Sequence, residues 1–112
     1  MKKIRKAKVN IEIGLNENNI AETISWLATD YSAEFNKARA MILSMWDGEK
    51  NEALSIDMWT KEMTIEEMKF FVFQTLLKMT ELIKKSTGEE ELALEMRKFV
   101  KKFGSISGII KK

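Results

Sequence analysis

An α+β domain is predicted, with four antiparallel strands followed by two antiparallel helices packed on one face of the sheet (ββββαα). Three features of the sequence predict it. Apolar and polar residues alternate with a period of two through residues 9–15 and again through residues 40–59, as half-buried strands do. Where that alternation ends, Thr64 and Glu67 stand at the spacing of a helix capping box. Beyond them apolar residues recur every three or four positions as far as Phe103. A chain of 112 residues has room for one core. We therefore expect a single domain over residues 1–104, with residues 105–112 as a C-terminal tail that is either disordered or docked.

The first strand is expected over residues 4–15, with Val9, Ile11, Ile13 and Leu15 on one side and Lys8, Asn10 and Glu12 on the other. Asn16, Glu17, Asn18 and Asn19 make a polar turn. Residues 20–29 read as a second strand, with Ile24, Trp26 and Ala28 sharing a face, although Leu27 spoils the alternation. Residues 30–37 show neither period and read as a loop with room for one helical turn.

The next two strands form a hairpin whose register follows from the sequence. With residues 48–51 as the loop and Asp47 facing Glu52, Met45 faces Leu54, Leu43 faces Ile56 and Met41 faces Met58, so six large core candidates share one side. A slip of one residue would send a strand's whole apolar set to the other side. The same register puts Trp46 opposite Ala53 and Trp59 opposite Ala40 on the second face, with Ile42 between them. The two tryptophans then lie about six residues apart, roughly 20 Å along the strand.

Helix one is marked at its start by the Thr64 and Glu67 capping box, with Met63 and Met68 placed for a hydrophobic staple. Glu66 and Glu67 suit the positive end of its dipole, and Lys84 and Lys85 the negative end. Its expected core stripe is Ile65, Met68, Val72, Leu76, Met79 and Ile83. Phe70, Phe73 and Leu77, with Phe71 between, add a second apolar stripe, so one sheet cannot cover the helix and helix two or a second subunit must take the rest. Thr87 and Glu90 give a capping spacing for helix two, while Gly88 alternatively ends helix one. In helix two the expected stripe is Leu92, Met96, Phe99 and Phe103, widened by Ala93 and Val100, with Gly104 as the stop.

Composition narrows the chemistry. There is no cysteine and no histidine, which removes disulfides, thiolate zinc sites and the commonest general base. The acidic run Glu89, Glu90 and Glu91 lacks calcium-loop spacing and suits a solvated helix start. Asp47 and Asp57 are too far apart in the hairpin register to work as an acid/base pair on one substrate. The five glycines are scattered and form no phosphate loop. No enzyme activity and no cofactor are therefore expected. Lys2, Lys3, Arg5, Lys6 and Lys8 with the cationic side of helix two could converge on phosphates. The net charge of only +2 and the absence of interleaved aromatics argue against nucleic acid as a partner. No apolar run approaches the ~20 residues of a membrane span, and the cytoplasm is the expected compartment.

Two readings of Trp46 and Trp59 stand side by side. Together with Ile42 they either anchor a protein partner, as aromatic residues commonly do, or lie under the loop at 30–37 or the chain's own helices. Phe70, Phe73 and Leu77 are the second candidate contact surface, and a homodimer is expected on the same grounds.

Three stretches resemble one family. Ser44-Met45-Trp46-Asp47, Ile56-Asp57-Met58-Trp59-Thr60-Lys61-Glu62-Met63 and Glu66-Glu67-Met68-Lys69 are similar to the signature of the gliding motility-associated protein GldC family of the Bacteroidota. Upstream, Asn16-Glu17-Asn18-Asn19-Ile20, Ile24-Ser25-Trp26 and Ala28-Thr29-Asp30 resemble that family's N-terminal strand and turn. The likeness covers about residues 9–103. Family members often carry proline where Ala21 and Thr64 stand and leucine where Met45 and Met58 stand, and the last eight residues match no part of the pattern. The resemblance implies a small non-enzymatic accessory or adaptor protein of gliding motility, and it carries over no catalytic or binding residue. The strand and helix order is also similar to that of the SecB export chaperone, which makes a chaperone of exported or unfolded proteins the alternative; that likeness is one of fold alone.

Overall fold

The computed structural model describes residues 4–110. The chain divides between Met63 and Thr64 into two compact units.

The first unit begins with a hairpin of β1 (Val9–Leu15) and β2 (Ala21–Ala28), in which Ile11 faces Trp26 and Ile13 faces Ile24. Its turn is organised by one side chain: Asn16 Oδ1 accepts from the backbone N–H groups of Asn18 and Ile20 at 2.8 and 3.0 Å. Asn19 takes the left-handed conformation, φ 61°, which asparagine tolerates better than most residues. The first strand is shorter than expected. Residues 4–8 lie ahead of it, and Ile4 is almost fully exposed, so this basic stretch has little apolar surface to bury. A short strand, β3 (Asn36–Ala38), pairs with the other side of β2, with Ile24 facing Ala38 and Trp26 facing Asn36. Having a neighbour on each side, β2 supplies the two buried apolar residues of this unit, Ile24 and Ala21.

β4 (Ala40–Asp47) and β5 (Glu52–Trp59) make a separate two-stranded sheet. The expected single four-stranded sheet is thus corrected to one sheet of three strands and one of two. The cause lies at Arg39. The residues just before it, Asn36–Ala38, pair with β2, whereas the expected third strand beyond it pairs with β5 alone, starting where Thr60 N–H donates to Arg39 C=O at 2.8 Å. The end of the expected loop at 30–37 is likewise taken up by β3, whose three residues are too few to show a period. The hairpin register is the expected one throughout, from Ala40 opposite Trp59 to Asp47 opposite Glu52. Asp47 Oδ1 accepts from the N–H groups of Glu49 and Lys50, and Asn51 closes the turn at φ 54°.

The second unit is a helix pair, α1 (Ile65–Thr87) and α2 (Glu90–Ser107). The capping box of α1 is complete: Thr64 Oγ1 accepts from Glu67 N–H at 3.0 Å and Thr64 N–H donates to the Glu67 carboxylate at 3.1 Å. Gly88 ends α1 at φ 74°. The Thr87 and Glu90 spacing forms no cap, since Thr87 Oγ1 accepts from Glu89 N–H and donates to Ile83 C=O, leaving Glu89 as the N-cap of α2. Arg97 on α2 reaches Glu81 on α1, and Gly104 lies against Phe73, so the two helices run antiparallel.

Two expectations about these helices are corrected. The buried line of α2 is Ala93, Val100 and Gly104, while Leu92 and Phe99 are exposed. On α1 the most buried residue is Thr80, whose hydroxyl is satisfied by Leu77 C=O at 2.6 Å, while Ile65 and Met79 are exposed. Small side chains sit on the seam because helix axes approach closely only where little projects between them. Gly104 is part of that seam and not a stop: a Cβ there would collide with Ile110 and Phe73, and α2 continues to Ser107 before Gly108 caps it at φ 84°. Ile110 folds back, its N–H donating to Gly104 C=O at 2.9 Å. Lys111 and Lys112, in the expected tail, lie outside the described residues.

Candidate functional site

The hairpin register decides what each face of the β4–β5 ribbon presents. One face carries Trp46 over Ala53 and Trp59 over Ala40, with Ile42 beside Asp57 and a hydrogen bond between the Ser44 and Ser55 hydroxyls, 2.9 Å, between them. Alanine opposite each tryptophan leaves its indole without a cross-strand cover. Ile42 is 48% exposed, Trp46 67% and Trp59 60%. In the loop at 30–37, one of the covers considered for them, the Tyr31 ring lies 5.1 Å from that of Trp26.

The opposite face was expected to be core, and only part of it is. Met41, Leu43 and Met58 are half-buried, but towards the turn Met45, Leu54 and Ile56 are all more than half exposed. Strand pattern shows which residues share a face and not whether that face is covered.

On the helix pair the second candidate surface is split. Phe73 is half-buried against Gly104 and meets Phe70 edge to face at 6.4 Å, whereas Phe70 and Leu77 remain exposed. Sequence reasoning assigned Phe99 and Phe103 to the core. Phe99 is 57% exposed, and with Phe103, Ile106, Lys69 and Lys102 it lines an apolar groove of about 490 Å³.

A polar cleft of about 320 Å³ in the first unit runs past Glu22, Lys37, Arg39 and Glu62. Its charges answer one another: Arg39 lies 3.8 Å from Glu62, and Lys61 lies 4.0 Å from Glu22. Asp47 is a turn residue and Asp57 an exposed strand residue, remote from each other as expected. Glu89, Glu90 and Glu91 lie exposed at the start of α2. Among the described residues no group of three or more acidic side chains is placed to hold a metal ion. Of the expected basic patch, Arg5 is engaged by Asp30 through two hydrogen bonds of 2.8 and 2.9 Å, and Lys2 and Lys3 lie outside the described residues. No described helix is long and apolar enough to cross a membrane.

What these features define is an α+β protein with exposed tryptophans on one face of a two-stranded ribbon. The family can be stated as well: a model of the gliding motility-associated protein GldC-like family matches residues 21–107, and the chain belongs to that family. No curated protein and no solved structure matches the chain.

Proposed function

We propose that this chain is a non-enzymatic accessory protein of bacterial gliding motility that acts in the cytoplasm by protein–protein contact through the tryptophan face of the β4–β5 ribbon. The observation that carries the reading is the exposure of Trp46 and Trp59 at the two ends of that face in a chain of the GldC-like family. Large aromatic side chains supply much of the binding energy at interfaces, and an exposed apolar surface of this kind usually has an occupant. Ile42 lies between the two anchors. Phe70 and Leu77 are the reserve surface, while Phe73 is already engaged within the helix pair.

The test is affinity capture of the tagged protein from its native cells, in parallel with a Trp46→Ala/Trp59→Ala variant of unchanged circular dichroism. Capture of a few motility or envelope components, lost in the variant, is the expected result. The same components held by the variant would move the contact to Phe70 and Leu77. A broad spread of unfolded exported proteins would overturn the adaptor reading in favour of a chaperone.

A further inference from the structure

We infer that β5 is a self-pairing edge: two copies of this chain join by antiparallel addition of β5 to β5 about a two-fold axis at Ile56, giving a four-stranded sheet in the order β4-β5-β5-β4. The inference goes beyond the motility reading and does not depend on it.

The backbone supplies the first argument. Thr60 N–H donates to Arg39 C=O, and hydrogen-bonded pairs alternate along an antiparallel ladder, so Met58, Ile56 and Leu54 direct their backbone groups to β4. The backbone groups of Trp59, Asp57, Ser55 and Ala53 therefore point outward. Among the described residues no strand or other backbone group meets them. Natural sheets blunt such edges with lysine, proline or a bulge. β5 contains no lysine or proline, its charged residues are Glu52 at the turn end and Asp57, and its register with β4 runs without interruption.

Stability supplies the second. An isolated two-stranded ribbon is marginal in water, yet this one leaves seven of the eight residues of β5 exposed. A second copy added at the β5 edge would turn these two strands into four. On β5 itself Leu54, Ile56 and Trp59 are each about half exposed or more, and pairing at the edge would set each of them beside a side chain of the second copy.

The sequence of β5 read against its own reverse supplies the third. Centred on Ile56, the pairing sets Ile56 against Ile56 of the second copy, Leu54 against Met58, Ala53 against Trp59 and Ser55 against Asp57. Apolar meets apolar on one face, and Asp57 finds a hydroxyl. Centring on Asp57 would oppose two carboxylates, and centring on Ser55 would set Asp57 against Ala53 and Glu52 against Met58. The Ile56 register pairs Ala53 through Trp59, seven of the eight residues of the strand.

The test uses the purified chain alone. Sedimentation of the wild-type protein at tens of micromolar should give a dimer, and Ser55→Pro, which removes an outward N–H and none of the ladder to β4, should give a monomer with unchanged circular dichroism. Because the chain has no cysteine, Ile56→Cys introduces a single thiol. At the two-fold the paired Cα atoms would be ~4.5 Å apart, within disulfide reach. Mild oxidation should cross-link Ile56→Cys nearly completely and leave Ala53→Cys uncross-linked, since its counterpart would be ~20 Å away. A wild-type monomer, or a dimer in which Ile56→Cys cross-links no better than Ala53→Cys, would overturn the inference. Neither result would bear on a gliding partner, which the purified chain does not include.

Discussion

β2 and β5 are strands of equal length in the same unit, and their surroundings differ. β2 has β1 on one side and β3 on the other, and Ile24 is 2% exposed; β5 has β4 alone, and Ile56 is 52% exposed. Both isoleucines sit mid-strand. What separates them is the number of neighbours: a strand with two paired edges is closed in by the side chains of both, while the ribbon of β4 and β5 leaves half of Ile56 in water. The helix pair repeats the contrast, with a closed seam of Ala93, Val100 and Gly104 and an open rim of Phe99 and Ile106. Closed regions should set stability, and open regions should respond to what binds them.

The largest expected effect tests that division directly. Ile24→Ala should destabilise the protein by ~2–5 kcal/mol in chemical denaturation, as large-to-small changes in cores do. Ile56→Ala in a monomer should cost under ~1 kcal/mol, because half of the side chain never left water. If the β5 edge pairs with a second copy, the Ile56→Ala loss should grow with protein concentration while the Ile24→Ala loss stays constant. Equal losses for the two variants at low concentration would break the comparison.

A smaller effect is expected on the helix seam. An exposed mid-helix glycine replaced by alanine gains up to ~1 kcal/mol from helix propensity. Gly104→Ala should lose ~1–3 kcal/mol instead, since its methyl group would overlap Ile110 and the Phe73 ring. The side chain of Ile110 can swing aside more readily than a packed ring. Gly104→Ala with Ile110→Ala should therefore recover part of the loss, and thermal melts of the single and double variants would read it. No recovery would place the strain at Phe73 alone.

The same contrast explains what the sequence disclosed. The β4–β5 register was legible because two alternating runs of seven residues, 40–46 and 53–59, flank a turn whose Asp47 side chain caps it. The capping box at Thr64 was legible because it is local. β3 was not, being three residues whose only reason to extend is the free edge of β2. Leu92 and Phe99 seemed the natural centre of α2 because they are large, whereas the seam selected Ala93, Val100 and Gly104 because they are small. For the candidate surface, the sequence told which residues accompany Trp46 and Trp59 but not that Met45, Leu54 and Ile56 on the other face are exposed as well. Exposure depends on neighbours, and the change of pairing partner at Arg39, from β2 before it to β5 after it, determines how far those neighbours extend.

The smallest expected effect lies at the open rim of the first unit, where the Arg5 guanidinium grips the Asp30 carboxylate. The hydrogen bonds from Arg5 hold the Asp30 carboxyl below its usual range, and Asp30 in turn raises Arg5. A carboxyl whose pKa is depressed on folding adds stability that is fully present above its unfolded pKa of ~3.9 and disappears as the pH falls through the folded value. Wild type and Arg5→Ala should thus differ by a small, constant amount near neutrality and converge only in acid. Both groups are exposed and screened, so added salt should shrink the difference. A carboxyl NMR titration reads the pair without relying on so small a change in stability: Asp30 should titrate below the ordinary aspartate range in wild type and return to it in Arg5→Ala. Identical titrations would mean that the contact contributes nothing in solution, leaving this stretch tied to β2 through Lys8, whose C=O accepts from Thr29 N–H and whose N–H donates to the Thr29 hydroxyl.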